Sequence, residues 1–351
     1  MGDNEDMTST KARRPTMRDV AALAGVSTQT VSNLVNSRPH LMTPETGERV
    51  AAAMQQLGYH RNSAARGLRS ARTRTLAFLM LDQDARFLAD PMTDLILAGI
   101  GDVVRDRGYA LLIQAGRPDA PSDALLQPLL EHRADGAFLF LSGAPELRRW
   151  DLKRATEIGI RAVVFEEVFD APSVLSVTAA NRDGARRLAE HLLGRGHRRI
   201  AFVAAEVPWP MVEQRRLGYH DALSAAGISI DPQLERFAGT WGTAGGAELV
   251  DLLLGTPEPP TAIMCCNDLL ALGVLAHLRQ RRLRVPRDIA VTGFNDFEFA
   301  PYVDPPLTTV RTPGYEMGRE AARNLIDSLD GTGPVASHVE FPVELVLRKT
   351  A

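Results

Sequence analysis

Residues 16–36, TMRDVAALAGVSTQTVSNLVN, constrain this chain more than any other stretch. Arg18 to Ala24 carries Val20, Ala21, Leu23 and Ala24 at the one- and three-to-four-residue spacings that gather side chains on one helix face. Gly25 stops that helix, because a residue without Cβ enters the left-handed region a sharp turn needs. Ser27 is a good N-cap for a second helix running roughly to Asn36, with Val31, Leu34 and Val35 facing inward. Ala21 is small where two helices approach closely, and Val31 plugs the angle between them. The spacing predicts a helix-turn-helix whose second helix is free to enter a major groove. Its polar face carries Thr28, Gln29, Ser32 and Asn33. Gln and Asn pair in bidentate fashion with adenine, while Thr or Ser donates, accepts or touches a thymine methyl. The plain alternative is a solvated face in an unrelated helical bundle. The coincidence of the Ala–Gly–Val spacing, the Ser cap and the polar face favours DNA.

A net charge of −3 argues by itself against a nucleic-acid binder, but its distribution does not. Residues 11–74 hold eleven Lys and Arg against three acids, Asp19, Glu45 and Glu48. Residues 75–351 hold twenty-nine basic groups against thirty-seven acidic ones. A basic head on an acidic body keeps phosphate affinity at one end. The remaining composition excludes other classes. No apolar run reaches membrane-spanning length, and the acidic, polar start MGDNEDMTST is not a secretory signal. The two cysteines, Cys265 and Cys266, are adjacent, which supports neither a disulfide framework nor a metal site and suits a reducing cytoplasm. They read as small apolar residues on a buried strand.

Behind the helix-turn-helix, Thr43 caps a third helix from Pro44 to about Leu57, with Val50, Ala53, Met54 and Leu57 as its core stripe. The basic stretch HRNSAARGLRSARTRT, residues 60–75, is too poor in large apolar residues to build a core. Asn62 or Ser63 can cap one or two turns there, a marginal helix in isolation. It reads either as a linker or as a segment that folds on DNA, with Leu68 as an apolar wedge for a minor groove.

From Thr75 onward strands alternate with helices. Strand-like runs cover 75–81, 110–116, 136–141, 161–166, 198–204, 261–267 and 288–295. Short, nearly all-apolar strands separated by amphipathic helices mean parallel sheets covered on both faces, with ligands at the carboxyl ends of strands. No catalytic constellation stands out: there is no GxxxxGK[ST] loop or GxSxG turn, and GIGD at 99–102 lies inside a helix pattern. His197 reads as a structural helix-end residue. The chain is therefore expected to be no enzyme and to need no cofactor or metal.

These residues resemble the lactose-repressor (LacI/GalR) family of bacterial transcription regulators over nearly the whole chain. The resemblance is carried by the helix-turn-helix, by TPETGERVAAAMQQLGY, and by NSAARGLR, GHRRIAF, RLGYHDAL, PTAIMCCNDLLALG, DIAVTGFND, PPLTTVR and PVELVLRKT. It implies an all-α head at 16–60, a hinge at 61–74, and an α/β effector-binding and dimerisation body at 75–351 like the periplasmic sugar-binding proteins. Within that body the family pattern suggests subdomains of about 75–180 plus 312–336 and 181–311 plus 337–351, joined by three crossing strands. It assigns base reading to Thr28, Gln29, Ser32 and Asn33, with Thr30 and Asn62 counted among the DNA-contacting residues and Leu68 as the hinge leucine. It assigns effector binding to Arg215, Trp241, Asn267 and Asn295, with Glu166, where many members have Asp, either joining them or being only a strand-end charge; Trp241 as plain core is the alternative for that residue. The chain departs from the pattern at Asn295 and Ala180, where the family commonly has Asp, and at Arg61, which replaces a proline. The resemblance implies a cytoplasmic repressor that binds a palindromic operator as a homodimer, since tetramerising heptads are absent before Ala351. A sugar or sugar derivative is the favoured effector. A purine- or nucleoside-responsive regulator and a solute-binding module without a sequence-specific DNA role are the alternatives.

Overall fold

The computed structural model describes residues 15–35, 38–59, 72–82, 88–117, 123–207, 209–332 and 337–351. The hinge residues named above, Arg61, Asn62 and Leu68, lie outside them. The chain divides into two compact units, residues 1–71 and 72–351.

In the first unit, local chemistry sets each helix end. Helix α1, Met17–Ala24, opens on a capping box: Thr16 Oγ1 accepts from Asp19 N–H while the Asp19 carboxylate accepts from Thr16 N–H at 2.7 Å. It stops at Gly25, whose φ of 64° places it in the left-handed region. Helix α2, Thr28–Val35, begins where Ser27 Oγ accepts from Thr30 N–H at 3.1 Å. Helix α3, Pro44–Leu57, has Thr43 as N-cap and proline in its first turn. Val20, Val31 and Val50 are fully buried together, with Ala21, Ala24, Ala53 and Tyr59 around them. Leu23, expected on the apolar face, is instead 46% exposed. At 3.6 residues per turn it points roughly a third of a turn away from the direction shared by Val20, Ala21 and Ala24.

The second unit has two lobes. The first holds a six-stranded, all-parallel sheet in the order β11-β5-β4-β3-β1-β2. These strands are β1 Thr75–Leu81, β2 Ala110–Gly116, β3 Gly136–Leu141, β4 Ala162–Phe165, β5 Val174–Ala179 and β11 His338–Phe341. The second lobe holds a parallel sheet in the order β7-β6-β8-β9, built from β6 Ile200–Ala205, β7 Glu235–Ala238, β8 Ala262–Cys265 and β9 Ala290–Thr292. The chain crosses between lobes after β5, after β10 (Thr309–Arg311) and after β11. Strand β10 pairs antiparallel with β12, Glu344–Val346. Strand β11 falls in the stretch expected in the second subdomain, yet it pairs with β5 in the first lobe's sheet.

Helices cover both sheets: α4 Pro91–Asp106, α5 Gln127–Leu130, α6 Pro145–Glu157, α7 Asn181–Gly194, α8 Pro210–Ala225, α9 Thr243–Leu254, α10 Asp268–Gln280 and α11 Gly314–Asp330. The strands β1, β3, β4, β6 and β8 are buried nearly end to end, as their continuous apolar runs predict. One core cluster runs through both lobes, and Phe140 of β3 meets Trp209 of the other lobe with ring centroids 4.8 Å apart. Cys265 and Cys266 are buried thiols, as expected of small residues in a covered sheet.

Candidate functional site

On α2, Thr28 and Gln29 are exposed, while Thr30, Ser32 and Asn33 are half-buried. Gln29 Nε2 donates to Asn33 Oδ1 at 3.1 Å, one helical turn on. That contact holds two amides side by side on the outward face. Thr30 is occupied differently: its hydroxyl meets Ser27 Oγ at 2.9 Å and so belongs to the helix cap. Ser27 and Thr30 build the start of the helix, and Thr28, Gln29, Ser32 and Asn33 are what it presents.

In the body, all five residues chosen from the sequence for the cleft line one interlobe cavity. Glu166 follows β4; Arg215 is on α8, Trp241 precedes α9, Asn267 caps α10 and Asn295 follows β9. Asp90, Met92, Phe140, Met211 and Thr312 complete the wall. The cavity volume is about 20 Å³, room for about one water. A polar groove of about 690 Å³ opens outside it and shares Glu166.

Arg215 is the centre of the arrangement. It is 4% exposed, and three of its donors reach protein acceptors: Nε to Asn181 Oδ1 at 2.8 Å, Nη1 to Cys266 O at 2.6 Å, and Nη2 to Asn295 Oδ1 at 3.0 Å. Its guanidinium also lies 3.8 Å from the Phe294 ring centroid. Asn295 Oδ1 accepts a further bond from Thr312 Oγ1 at 3.3 Å. Asn267 uses Oδ1 to cap α10, accepting from Leu270 N–H at 2.7 Å, and donates from Nδ2 to Trp241 O at 3.2 Å. Trp241 is half-buried, packing on the core while also lining the cavity. Both cleft and core readings of that residue thus have a physical basis. Glu166 and Asn295 hold positive φ, 63° and 113°. Such conformations cost about 1–3 kcal/mol and persist where surrounding contacts fix them.

Burial pushes the Glu166 carboxyl up to about 7, against the opposing pull of Arg215 and of donors from Ala179 N–H and Asn181 Nδ2. Burial likewise raises Asp90 to about 6, although Met92 N–H donates to it at 2.9 Å and Arg215 favours its ionised form. His197 meets Thr261 Oγ1 at 2.9 Å, the structural role read from its position. Among the described residues, no group of His, Cys, Asp and Glu is arranged to hold a metal ion, and no helix is long and apolar enough to cross a membrane.

Asp90, Asn181 and Thr312 were not singled out from the sequence. Asp90 had a usable signal: an Asp before Pro91 opens a helix that follows β1, and carboxyl ends of parallel strands are where ligands sit. Asn181 and Thr312 carried none, because their importance comes from the interlobe crossings they occupy.

Comparison with known proteins places this geometry. Residues 16–62 match the model of bacterial regulatory proteins of the lacI family, and residues 189–351 match a periplasmic binding protein-like domain. The chain is 34% identical over 341 residues, 96% of each chain, to the HTH-type transcriptional regulator CelR of Thermobifida fusca. The solved structure of a transcriptional regulator CelR–cellobiose complex superposes with a TM-score of 0.71 at 31% identity, covering 96% of this chain and 100% of that one. The structure of the Lac repressor dimer bound to operator and the anti-inducer ONPF gives 0.83 at 28% identity, covering 96% and 99%.

Proposed function

The chain belongs to the LacI family of bacterial transcriptional regulators, DNA-binding proteins rather than enzymes, and from that premise we propose a specific mode of action. It is a dimeric cytoplasmic repressor whose hold on a palindromic operator is set by a sugar-type effector in the interlobe cavity. The observation that carries this reading is the convergence of Glu166, Arg215, Trp241, Asn267 and Asn295, from five separate elements, on one interlobe cavity. Carboxyls, amides and a guanidinium beside an aromatic ring suit a hydroxylated ring that both donates and accepts. The CelR–cellobiose complex supports the same class.

Thr28, Gln29, Ser32 and Asn33 read base edges in the major groove, Gln29 and Asn33 as the adenine-type readers. Residues 61–74, with Asn62 and Leu68, act as the hinge, Leu68 as the minor-groove wedge. The dimer face lies on the first lobe. There Ile113, on the sheet-edge strand β2, is 47% exposed and Leu95 of α4 is 39% exposed. A second copy covering these apolar groups matches the two-fold symmetry of a palindrome, and the operator-bound Lac repressor is itself described as a dimer.

A cavity with room for about one water does not admit a sugar until the lobes separate. Effector therefore selects a different lobe separation, and through it a different disposition of the paired heads. Its leverage is its differential affinity for the two arrangements, typically about 1–3 kcal/mol of coupling. Selection of random duplex DNA on the purified protein, with and without cellobiose, other sugars and nucleosides, tests the reading. A palindrome whose enrichment changes with a sugar supports it; no enriched sequence rejects the operator role, and a response to nucleosides alone rejects the sugar.

A further inference from the structure

Two carboxyls and one guanidinium face the same narrow interlobe cavity. Asp90 and Glu166 come from the first lobe and Arg215 from the second, and all three line the 20 Å³ cavity. The cavity itself has room for about one water, and Glu166 also borders the polar groove outside it. With both acids ionised, the lining holds one negative charge more than Arg215 balances. Neighbouring charges deepen that excess. Glu340, on β11, disfavours ionisation of Glu166, and Asp94, in the first turn of α4, does the same to Asp90. Asp268, at the start of α10, is within the field of Arg215 as well. It accepts from Phe297 N–H at 2.8 Å and Thr309 Oγ1 at 2.6 Å inside the second lobe. Glu167 is matched by Arg148 at 2.6 Å. Burying an unbalanced charge is costly and is relieved by neutralisation.

We propose that closing the lobes over this cavity takes up protons at Glu166 and Asp90, so that pH itself biases the lobes between closed and open. This holds whichever ligand the cleft takes, because it concerns only groups of the chain. The direction follows from the two environments. Closed, burial holds Glu166 near 7 and Asp90 near 6. Open, both face water and return to the ordinary range of about 4. Closed lobes thus bind these protons more tightly, and closure is favoured progressively as pH falls from about 7 toward about 4.5. Above about 7 both acids are ionised in either arrangement, and closure is least favoured. Within the window each proton taken up changes the closed-to-open ratio by up to about tenfold per pH unit.

The wiring to the crossings is direct. Glu166 Oε2 accepts from Asn181 Nδ2 at 2.7 Å, and Asn181 Oδ1 accepts from Arg215 Nε at 2.8 Å. Asn181 begins α7 just after the first crossing, and Arg215 reaches Thr312, at the second, through Asn295. The protonation state of Glu166 is therefore felt at two of the three connections between lobes.

Trp209 and Trp241 lie at the cleft, whereas the third tryptophan, Trp150, is 44% exposed on α6. In full-length protein carrying Trp150→Phe, tryptophan fluorescence and the small-angle scattering radius are followed from pH 4.5 to 8.5. One transition is expected, with a midpoint between about 5.5 and 7 and the smaller radius on the acid side. Asp90→Asn with Glu166→Gln removes it; asparagine caps α4 as well as aspartate does, and glutamine still accepts from Asn181. Should that pair fail to give a native circular dichroism spectrum, Glu166→Gln alone is the test, and it moves the midpoint downward toward the range of Asp90. Absence of a transition in the tryptophan-trimmed protein, or a transition indifferent to these substitutions, overturns the proposal.

Discussion

Gly218→Ala is the sharpest test of how α7 and α8 carry the cleft. A methyl group at Gly218 would lie 2.1 Å from Arg182 O, 2.8 Å from Arg186 N and 3.0 Å from the Ala185 Cβ. Carbon–oxygen contacts settle near 3.3 Å, so the helices must part by about 1 Å. Two of the three obstacles are backbone atoms of a packed helix, which have no rotamer to escape into. The loss belongs at the upper end of the overpacking range, about 3 kcal/mol. For a unit of this size that lowers Tm by roughly 6–12 °C. A functional signature accompanies it, because Arg215 lies three residues before Gly218 and Asn181 one residue before Arg182. Parting the helices stretches the 2.8 Å Arg215–Asn181 bond and with it the floor of the cavity. Calorimetric or circular dichroism melting at pH 7, with cleft tryptophan fluorescence as the second readout, measures both effects. Gly194→Ala is the control: nothing lies within 4 Å of its added Cβ, so Tm holds or rises slightly. A Gly218→Ala melt within 2 °C of the wild type, on the order of the shift for half a kcal/mol, would refute the close-packing argument.

Other perturbations separate reading from folding. Gln29→Ala should lower operator affinity by about 1–3 kcal/mol in discrimination at one base pair while leaving binding to random DNA unchanged; parallel losses on both would argue against base readout. Thr16→Ala breaks the capping box of α1 and should destabilise the head by about 1 kcal/mol, read as a lower midpoint for that transition in urea. Asn267→Ala removes both the α10 cap and the bond to Trp241 O, so stability should fall by about 1–2 kcal/mol together with effector response. A loss of response with an unchanged melt would mean that the cap is not structural. Leu68→Ala should weaken operator binding far more than binding to random DNA, and equal losses in a filter-binding or anisotropy titration would rule out the wedge.

Much of the molecule is legible in its sequence because the forces that specify it are local. The head is decided largely by Gly25, Ser27 and Thr43, whose side chains or backbone freedom act within four residues, so those helix ends could be placed before any tertiary contact was known; the capping box of Thr16 and Asp19 was seen only in the structure. Strands β1 and β3 have the limits their apolar runs indicate, since a strand covered on both faces must be apolar throughout, and the edge strand β2 also keeps the limits of its run although it is only partly covered. Strands β5 and β7 were less readable. Ser176 and Thr178 interrupt the apolar run of the first, and the second is only four residues long with Arg236 in it. The hydrogen bonds that make them strands come from pairing with β4 and β11 for the first and with β6 for the second, not from a pattern within the strand itself.

The cleft divides along the same line. The family resemblance pointed to Arg215, Trp241, Asn267 and Asn295, and the three-dimensional structure alone joined them to Asp90, Asn181 and Thr312. It also decided what those residues do to one another. The sequence contains Arg215 but not its three protein acceptors, and Glu166 but not the burial that lifts its carboxyl to about 7. Capping, turns and hydrophobic periodicity are written in neighbours along the chain, so sequence determines them. Desolvation and charge balance depend on which distant groups share a closed space, and that is fixed only when the lobes pack.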